Sequence, residues 1–338
     1  MIFRKKGMVD MQNMLAQFCM NQLGFGPLGE IMLVTPGSGN AHNYFRDKVN
    51  EANLFTSVQK AYAAAITARN DVILVTPDNH TWKGDGGVQT AELSWDKQNV
   101  HMLGLSPENL SGYGRARFSH SSTMVSMLDV GGSGCIFKNI RLMHGSASAG
   151  DITCLKTSGA GNTFENCGWA TPINNTQAEA SAYRGVIING TQNHFKHCTF
   201  GTANDVDRSA ANAILKFETT CSGWNVFEDC VFRSRSGGGQ TTAIFIDDAC
   251  TETVVDYTGI FLNCQFLHQG ATLAVAITKA ANTSRKLYFD NRCRFAGVTD
   301  VIVDARIGEI VSGDNMASEA ASAADFKQML KARILVVT

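Results

Sequence analysis

Along most of this chain the hydrophobic residues come in short runs divided by Gly, Asn, Ser and Thr. From residue 135 onward one such run recurs: CIFKNIRL at 135–142, NTFENCGW at 162–169, NHFKHCTF at 193–200, NVFEDCVF at 225–232, GIFLNCQF at 259–266 and LYFDNRCRF at 287–295. Aligned on Phe137, Phe164, Phe195, Phe227, Phe261 and Phe289, the copies lie 27, 31, 32, 34 and 28 residues apart. A constant core with variable spacing marks a solenoid whose rungs are fixed and whose loops are not.

Two residues after each Phe stands Asn139, Asn166, His197, Asp229, Asn263 or Asn291, the non-glycine types that best tolerate positive φ. The next position carries Ile140, Cys167, Cys198, Cys230 or Cys264, with Cys293 one residue late. Two further on comes Leu142, Trp169, Phe200, Phe232, Phe266 or Phe295. In an unbroken strand, residues three apart face opposite sides, yet the Phe and Cys columns are both apolar. A left-handed bend at the Asn column lets Phe end one inward-facing strand and Cys begin the next.

A second apolar segment precedes each copy: VSMLDV at 125–130, ITCLKT at 152–157, GVIING at 185–190, AILKFE at 213–218, AIFIDD at 243–248 and AVAITK at 274–279, with VIVDAR at 301–306 opening a further rung. Each unit then holds about three short strands, the content of one coil of a parallel β-helix. Helical repeats of similar length would place apolar residues three and four apart, which this pattern does not.

These columns resemble the right-handed parallel β-helix proteins of the pectate-lyase and phage-tailspike type, where an asparagine ladder marks a tight bend and like residues stack along the interior. The stretch LFTSVQKAYAAAITARNDVILVTPDNHTW at 54–82 is similar to that superfamily's entry motif, a capping helix leading into the first strand. The resemblance implies an all-β fold, a single-stranded right-handed parallel β-helix over 54–312 with an entry helix at 56–69. Residues 1–53 form an N-terminal arm, with a helix from Asp10 to Leu23, an apolar IMLV at 31–34 and a loop at 36–40. Residues 313–338 form a closing helix at 318–333 and the terminal strand ILVVT, which suits a subunit interface.

Composition narrows the partners. Lys plus Arg number 29 against 30 Asp plus Glu, a formal charge of −1, so there is no global field for phosphates and nucleic acid is not expected. The N-terminus reads as neither a secretory signal nor a membrane span, and the ten cysteines are expected as free thiols in a cytoplasmically made protein.

Candidate chemistry is sparse, and no cofactor or metal is expected. The column Cys167, Cys198, Cys230, Cys264 and Cys293 reads as core packing, since a line of thiols lacks the tetrahedral clustering zinc needs. His197 occupies the bend column and Cys198 points inward, so His194 and His197, three apart, do not form a helical pair. Outward positions after each Phe read Lys138, Glu165, Lys196, Glu228, Leu262 and Asp290. Glu165 and Glu228 fall two rungs apart, about 9.6 Å, near the upper separation for inverting glycosidases, but with Lys196 between them a solvated stripe of alternating charge is the simpler account. Asp247 and Asp248 are the other candidate carboxylates, and Asp205, Asp207 and Arg208 share one loop. Trp95 and Trp224 are candidate sugar-stacking aromatics.

Two functions follow. The resemblance is to compact tailspike-derived proteins on the heads of marine tailed phages, which implies a homotrimeric virion protein that decorates and stabilises the capsid. Its partner would be the major capsid protein, held through Phe3, Arg4, Lys5, Lys6, Leu15, Phe18, Ile31 and Leu33, with no membrane partner. The alternative is a tailspike-like polysaccharide hydrolase or lyase, or a host-glycan-binding adhesin, with Glu165, Glu228, Asp247 and Asp248 as the acidic candidates.

Overall fold

The computed structural model describes residues 6–24, 26, 29–35, 40–77, 79–80, 92–105, 116–120, 125–144, 153–170, 183–201, 213–218, 221, 223–236, 246–248, 257–279, 286–302, 310–312 and 334–335. Among the described residues, three parallel sheets of eleven, nine and eight strands, here sheets A, B and C, run along one axis. The chain visits A, B and C in turn, so each coil pairs in parallel with the coils before and after it. In sheet A, for example, Phe164 is in register with Phe137 and Phe195, and Phe227 with Phe195 and Phe261. This is a parallel β-helix.

The repeat maps onto it directly. Each Phe lies in sheet A, each late aromatic in sheet B, and each VSMLDV-type segment in sheet C. VIVDAR supplies the end of the last sheet C strand, Val298–Ile302. The rings of Phe137, Phe164, Phe195, Phe227, Phe261 and Phe289 stack with centroids 4.6–5.1 Å apart. Phe200, Phe232, Phe266 and Phe295 form a second stack at 4.4–4.6 Å. Such offset pairs add about 0.5–1.5 kcal/mol each beyond their buried area.

Asn139, Asn166, His197, Asp229 and Asn263 all have positive φ, between 51° and 59°. Asn166 Nδ2 donates to Asn139 Oδ1 (2.6 Å), and Asn263 Nδ2 to Asp229 Oδ1. Asn291 departs from the column. The extra residue in LYFDNRCRF is taken up by a turn closed by Cys293 N–H on Asp290 O, and the Asp290 carboxylate accepts from Asn263 N–H instead. The thiols behave as packing groups: Cys167, Cys198, Cys230, Cys264 and Cys293 are buried and free, and each donates to the carbonyl of the Phe one coil earlier at 3.2–3.4 Å.

The corner between sheets C and A carries a second ladder that the sequence columns did not reveal. Asn162, Asn193 and Asn225 are fully buried. Each amide Nδ2 reaches back to a glycine carbonyl of the preceding coil, respectively Gly132, Gly159 and Gly190, at 3.0–3.2 Å. Those glycines are stacked so closely that a Cβ at Gly159 would strike Gly132 O, and one at Gly190 would strike Gly159 O.

The N-terminal division needs correction. Ile31–Val34 pairs with Asp71–Val75 in sheet A, so the β-helix begins well before residue 54. Helix α1 (Lys6–Leu23) is longer than the expected 10–23, and α2 (Asn40–Arg46) replaces part of the expected loop. The entry helix α3 covers only Val58–Ala64, against the expected 56–69. Ser57 caps its start through Lys60 N–H, and Lys97 Nζ, from the next coil, donates to the carbonyls of Tyr62, Ala63 and Ala65 at its end. Arg69 and Asp71, expected within or next to that helix, instead pair at 2.6 Å beyond it. Ile334–Leu335 extends sheet B beside Arg294–Ala296, so part of the terminal ILVVT is used within the chain. The expected closing helix at 318–333 lies outside the described residues. No helix among the described residues is long and apolar enough to cross a membrane.

Candidate functional site on the outer face of sheet A

Sheet A turns Met32, Val34, Ile73 and Val75 toward the axis and Leu33, Val72, Leu74 and Leu103 outward. The outward set is buried because α1 lies on it, contributing Leu15 and Cys19, with Phe18 and Ile31 partly buried against them. Four of the residues expected to bind a partner therefore have their apolar groups engaged within the chain: Leu15, Phe18, Ile31 and Leu33. Lys6 begins α1 with a side chain outside the described residues, as are Phe3, Arg4 and Lys5 altogether.

Where α1 ends, the outer face becomes polar. Lys138 Nζ donates to Gln22 O of α1 (3.4 Å) and pairs with Glu165 (2.9 Å). One coil on, Lys196 stands in register between Glu165 and Glu228. Glu228 pairs with Lys196 Nζ and with His194 Nε2, each at 3.2 Å. At the neighbouring bend, His197 Nε2 lies 3.3 Å from Asp229. The surface is thus a ladder of alternating charge with its partners joined across coils, Lys138 buried at its start and His194, Lys196 and Glu228 half-buried further on.

The catalytic candidates fall on two different sheets. Glu165 and Glu228 do share one column, with Lys196 in register between them and paired to Glu228. Asp247 and Asp248 are in a different sheet: Ile246–Asp248 belongs to sheet C, Asp247 in register with Lys216 and Thr278, Asp248 with Phe217 and Lys279. The two pairs therefore belong to different sheets. Asp205, Asp207 and Arg208 lie outside the described residues. Among the described residues, no three His, Cys, Asp or Glu side chains are grouped to hold a metal ion, and His194, His197 and Cys198 diverge. Burial pushes the Cys230 thiol well above its ordinary range, the neighbouring thiols adding to the effect, so it is no nucleophile.

Of the aromatic candidates, Trp95 is fully buried, its Nε1 donating to Val100 O (3.0 Å) and its ring against Tyr62. Trp224 is 45% exposed, with φ of 58°. It belongs to a further left-handed column, Asn99, Gly134, Gly161, Gln192 and Trp224, each directly before a sheet A segment. Chemically unlike residues fill that column, so composition alone does not reveal it.

No protein-family model and no curated protein matches the chain. Among solved structures it is similar to the pectate lyase Pel9A, at 13% identity over 86% of this chain and 84% of that one, with a TM-score of 0.47. It is also similar to a pectin methylesterase mutant in complex with a hexasaccharide (11%, 90% and 97%, 0.49) and to the pectin methylesterase of Aspergillus niger (11%, 92% and 98%, 0.43). The parallel β-helix itself stands on the chain's own strand registers and ladders.

Proposed function

We propose that this β-helix binds polysaccharide on the outer face of sheet A without cleaving it. The observation that carries the reading is the ladder of Glu165, His194, Lys196 and Glu228, a partly exposed row offering both donors and acceptors from one coil to the next, with the buried Lys138 holding Glu165 at its start. Such a row suits hydroxyl-rich ligands, whose groups take hydrogen bonds from ammonium and give them to carboxylate. Mutual pairing of the carboxylates with lysine argues against their serving as an acid–base pair.

The test is calorimetric titration with bacterial capsule, lipopolysaccharide O-polysaccharide and polygalacturonate, beside an assay for reducing ends and unsaturated products. Binding without products, lost in the double variant Lys196→Met with Glu228→Gln, is the expected result. New reducing ends or unsaturated products would replace the adhesin with a hydrolase or lyase.

A second reading is a homotrimeric virion protein that decorates a capsid and grips the major capsid protein through residues 1–6, with Arg4, Lys5 and Lys6 steering toward an acidic shell. The column of buried, free thiols favours it, since such a core suits assembly in the reducing cytoplasm of an infected cell. Light scattering gives the oligomeric state, and co-sedimentation with capsids tests the attachment. A monomer that leaves capsids bare would end this reading.

A further inference from the structure

Left-handed backbone is costly for a bulky side chain, and the coil corner before sheet A otherwise meets that demand with Asn, Gly or Gln. At residue 224 it carries tryptophan instead, with φ of 58° and 45% of its surface open. A large, exposed aromatic group in that conformation is an outlier in its column, and such outliers gather at ligand-binding positions.

The surroundings are firmly set. Thr191 Oγ1 donates to Gly223 O (2.6 Å), Gln192 N–H donates to the same carbonyl (3.1 Å), and Val226 N–H donates to Asn193 O (2.8 Å). Trp224 starts the segment whose outward residues are Val226 and Glu228. Gln192, exposed and also left-handed, starts the adjacent one, whose outward residues are His194 and Lys196. From Trp224 to Glu228 the surface runs about 13 Å at ~3.3 Å per residue. An apolar platform therefore stands at one end of a polar row.

We infer that Trp224 is a stacking platform for a pyranose ring of a bound polysaccharide, with Gln192 beside it and His194, Lys196 and Glu228 engaging the hydroxyl or carboxylate groups of the following units. The C–H face of a pyranose packs on an indole as other apolar surfaces do, while its rim hydroxyls stay free for hydrogen bonds. This rests on the polysaccharide-binding reading above and adds the aromatic subsite and its ligand class.

Trp224→Asn separates the roles, because Asn accepts the left-handed backbone without the ring. Titrated with O-polysaccharide and polygalacturonate, this variant should lose at least tenfold in affinity for whichever probe the parent binds, while its melting temperature stays level or rises. Trp224→Phe should keep most of the affinity. If Trp224→Asn binds as the parent does while the Lys196→Met, Glu228→Gln variant does not, the platform is wrong and the polysaccharide-binding reading stands. If the parent binds neither probe, both fall. A marked drop in the melting temperature of Trp224→Asn would show the ring to be structural and would overturn the inference.

Discussion

Asn193 and Asn225 are joined twice across the coil spacing: Oδ1 of Asn225 accepts both the backbone N–H and the Nδ2 of Asn193, each at 3.1 Å. Asn225 Nδ2 in turn donates to Gly190 O and Thr258 O, so one side chain serves three coils. Asn225→Ala strands buried polar groups on both sides and should cost about 2–4 kcal/mol. Urea unfolding checks this, and a loss under about 0.5 kcal/mol would remove the ladder from the list of stabilising features.

The two ends of the bend column should respond differently to one substitution. Asn263→Val forces a β-branched residue into left-handed backbone and removes the bond to Asp229, so a loss of about 1–2 kcal/mol is expected from the backbone alone. Asn291 lies outside that region and is exposed, so Asn291→Val should cost clearly less. Equal losses in thermal melts would contradict the distinction.

The thiol column should be silent to reagents. Burial and neighbouring thiols keep Cys230 protonated, so labelling in the native state should proceed only through unfolding. Cys230→Ser should destabilise by about 1–2 kcal/mol, toward the low end for a buried hydroxyl, because Phe195 O remains available to accept from it. Rapid native-state labelling monitored by mass spectrometry would refute the buried column.

His101 should give the fold a pH dependence. It is buried on the outer face of sheet A, Nδ1 accepting from Ile136 N–H (3.1 Å), and burial holds its pKa down to about 4 against a smaller upward pull from Asp71. The unfolded imidazole titrates near ~6.5, so between about 6.5 and 4 the unfolded chain takes a proton that the folded chain refuses. Stability should therefore fall as pH drops through that window, by roughly 3 kcal/mol from this residue. His101→Asn keeps a short acceptor without the titration. An unchanged slope of stability against pH in that variant would dismiss the assignment.

How far the sequence could be read depended on whether a physical demand was met by one residue type. The Phe, Cys and Asn columns were legible because stacking and left-handed bends select those residues coil after coil. Asn162, Asn193 and Asn225 were not, since the same column holds Cys135, Gly259 and Leu287 in other coils and the pattern breaks. Ile31–Val34 escaped as a β-helix strand because both its faces are covered, by the core and by α1, which leaves a continuous apolar run without alternation. The end of α3 depends on Lys97, more than thirty residues away, and no local signal announces it. Glu165 and Glu228 were correctly placed in one column, and AIFIDD already set Asp247 and Asp248 in a different strand of the coil, so the separation of the two pairs was legible too.

One feature of the ladders gives the molecule a direction. The five column thiols all donate toward the N-terminus, to the Phe carbonyls of the coil before, and Asn162, Asn193 and Asn225 reach glycine carbonyls the same way, although Asn193 and Asn225 also donate forward to Asn225 Oδ1 and Thr258 O. Each completed turn thus displays acceptors that wait for a turn not yet made. On the ribosome, where the N-terminal part emerges first, every new segment would meet a finished template, and synthesis and winding would advance together. A nascent chain halted at any coil would hold an ordered stem with one open, growing edge.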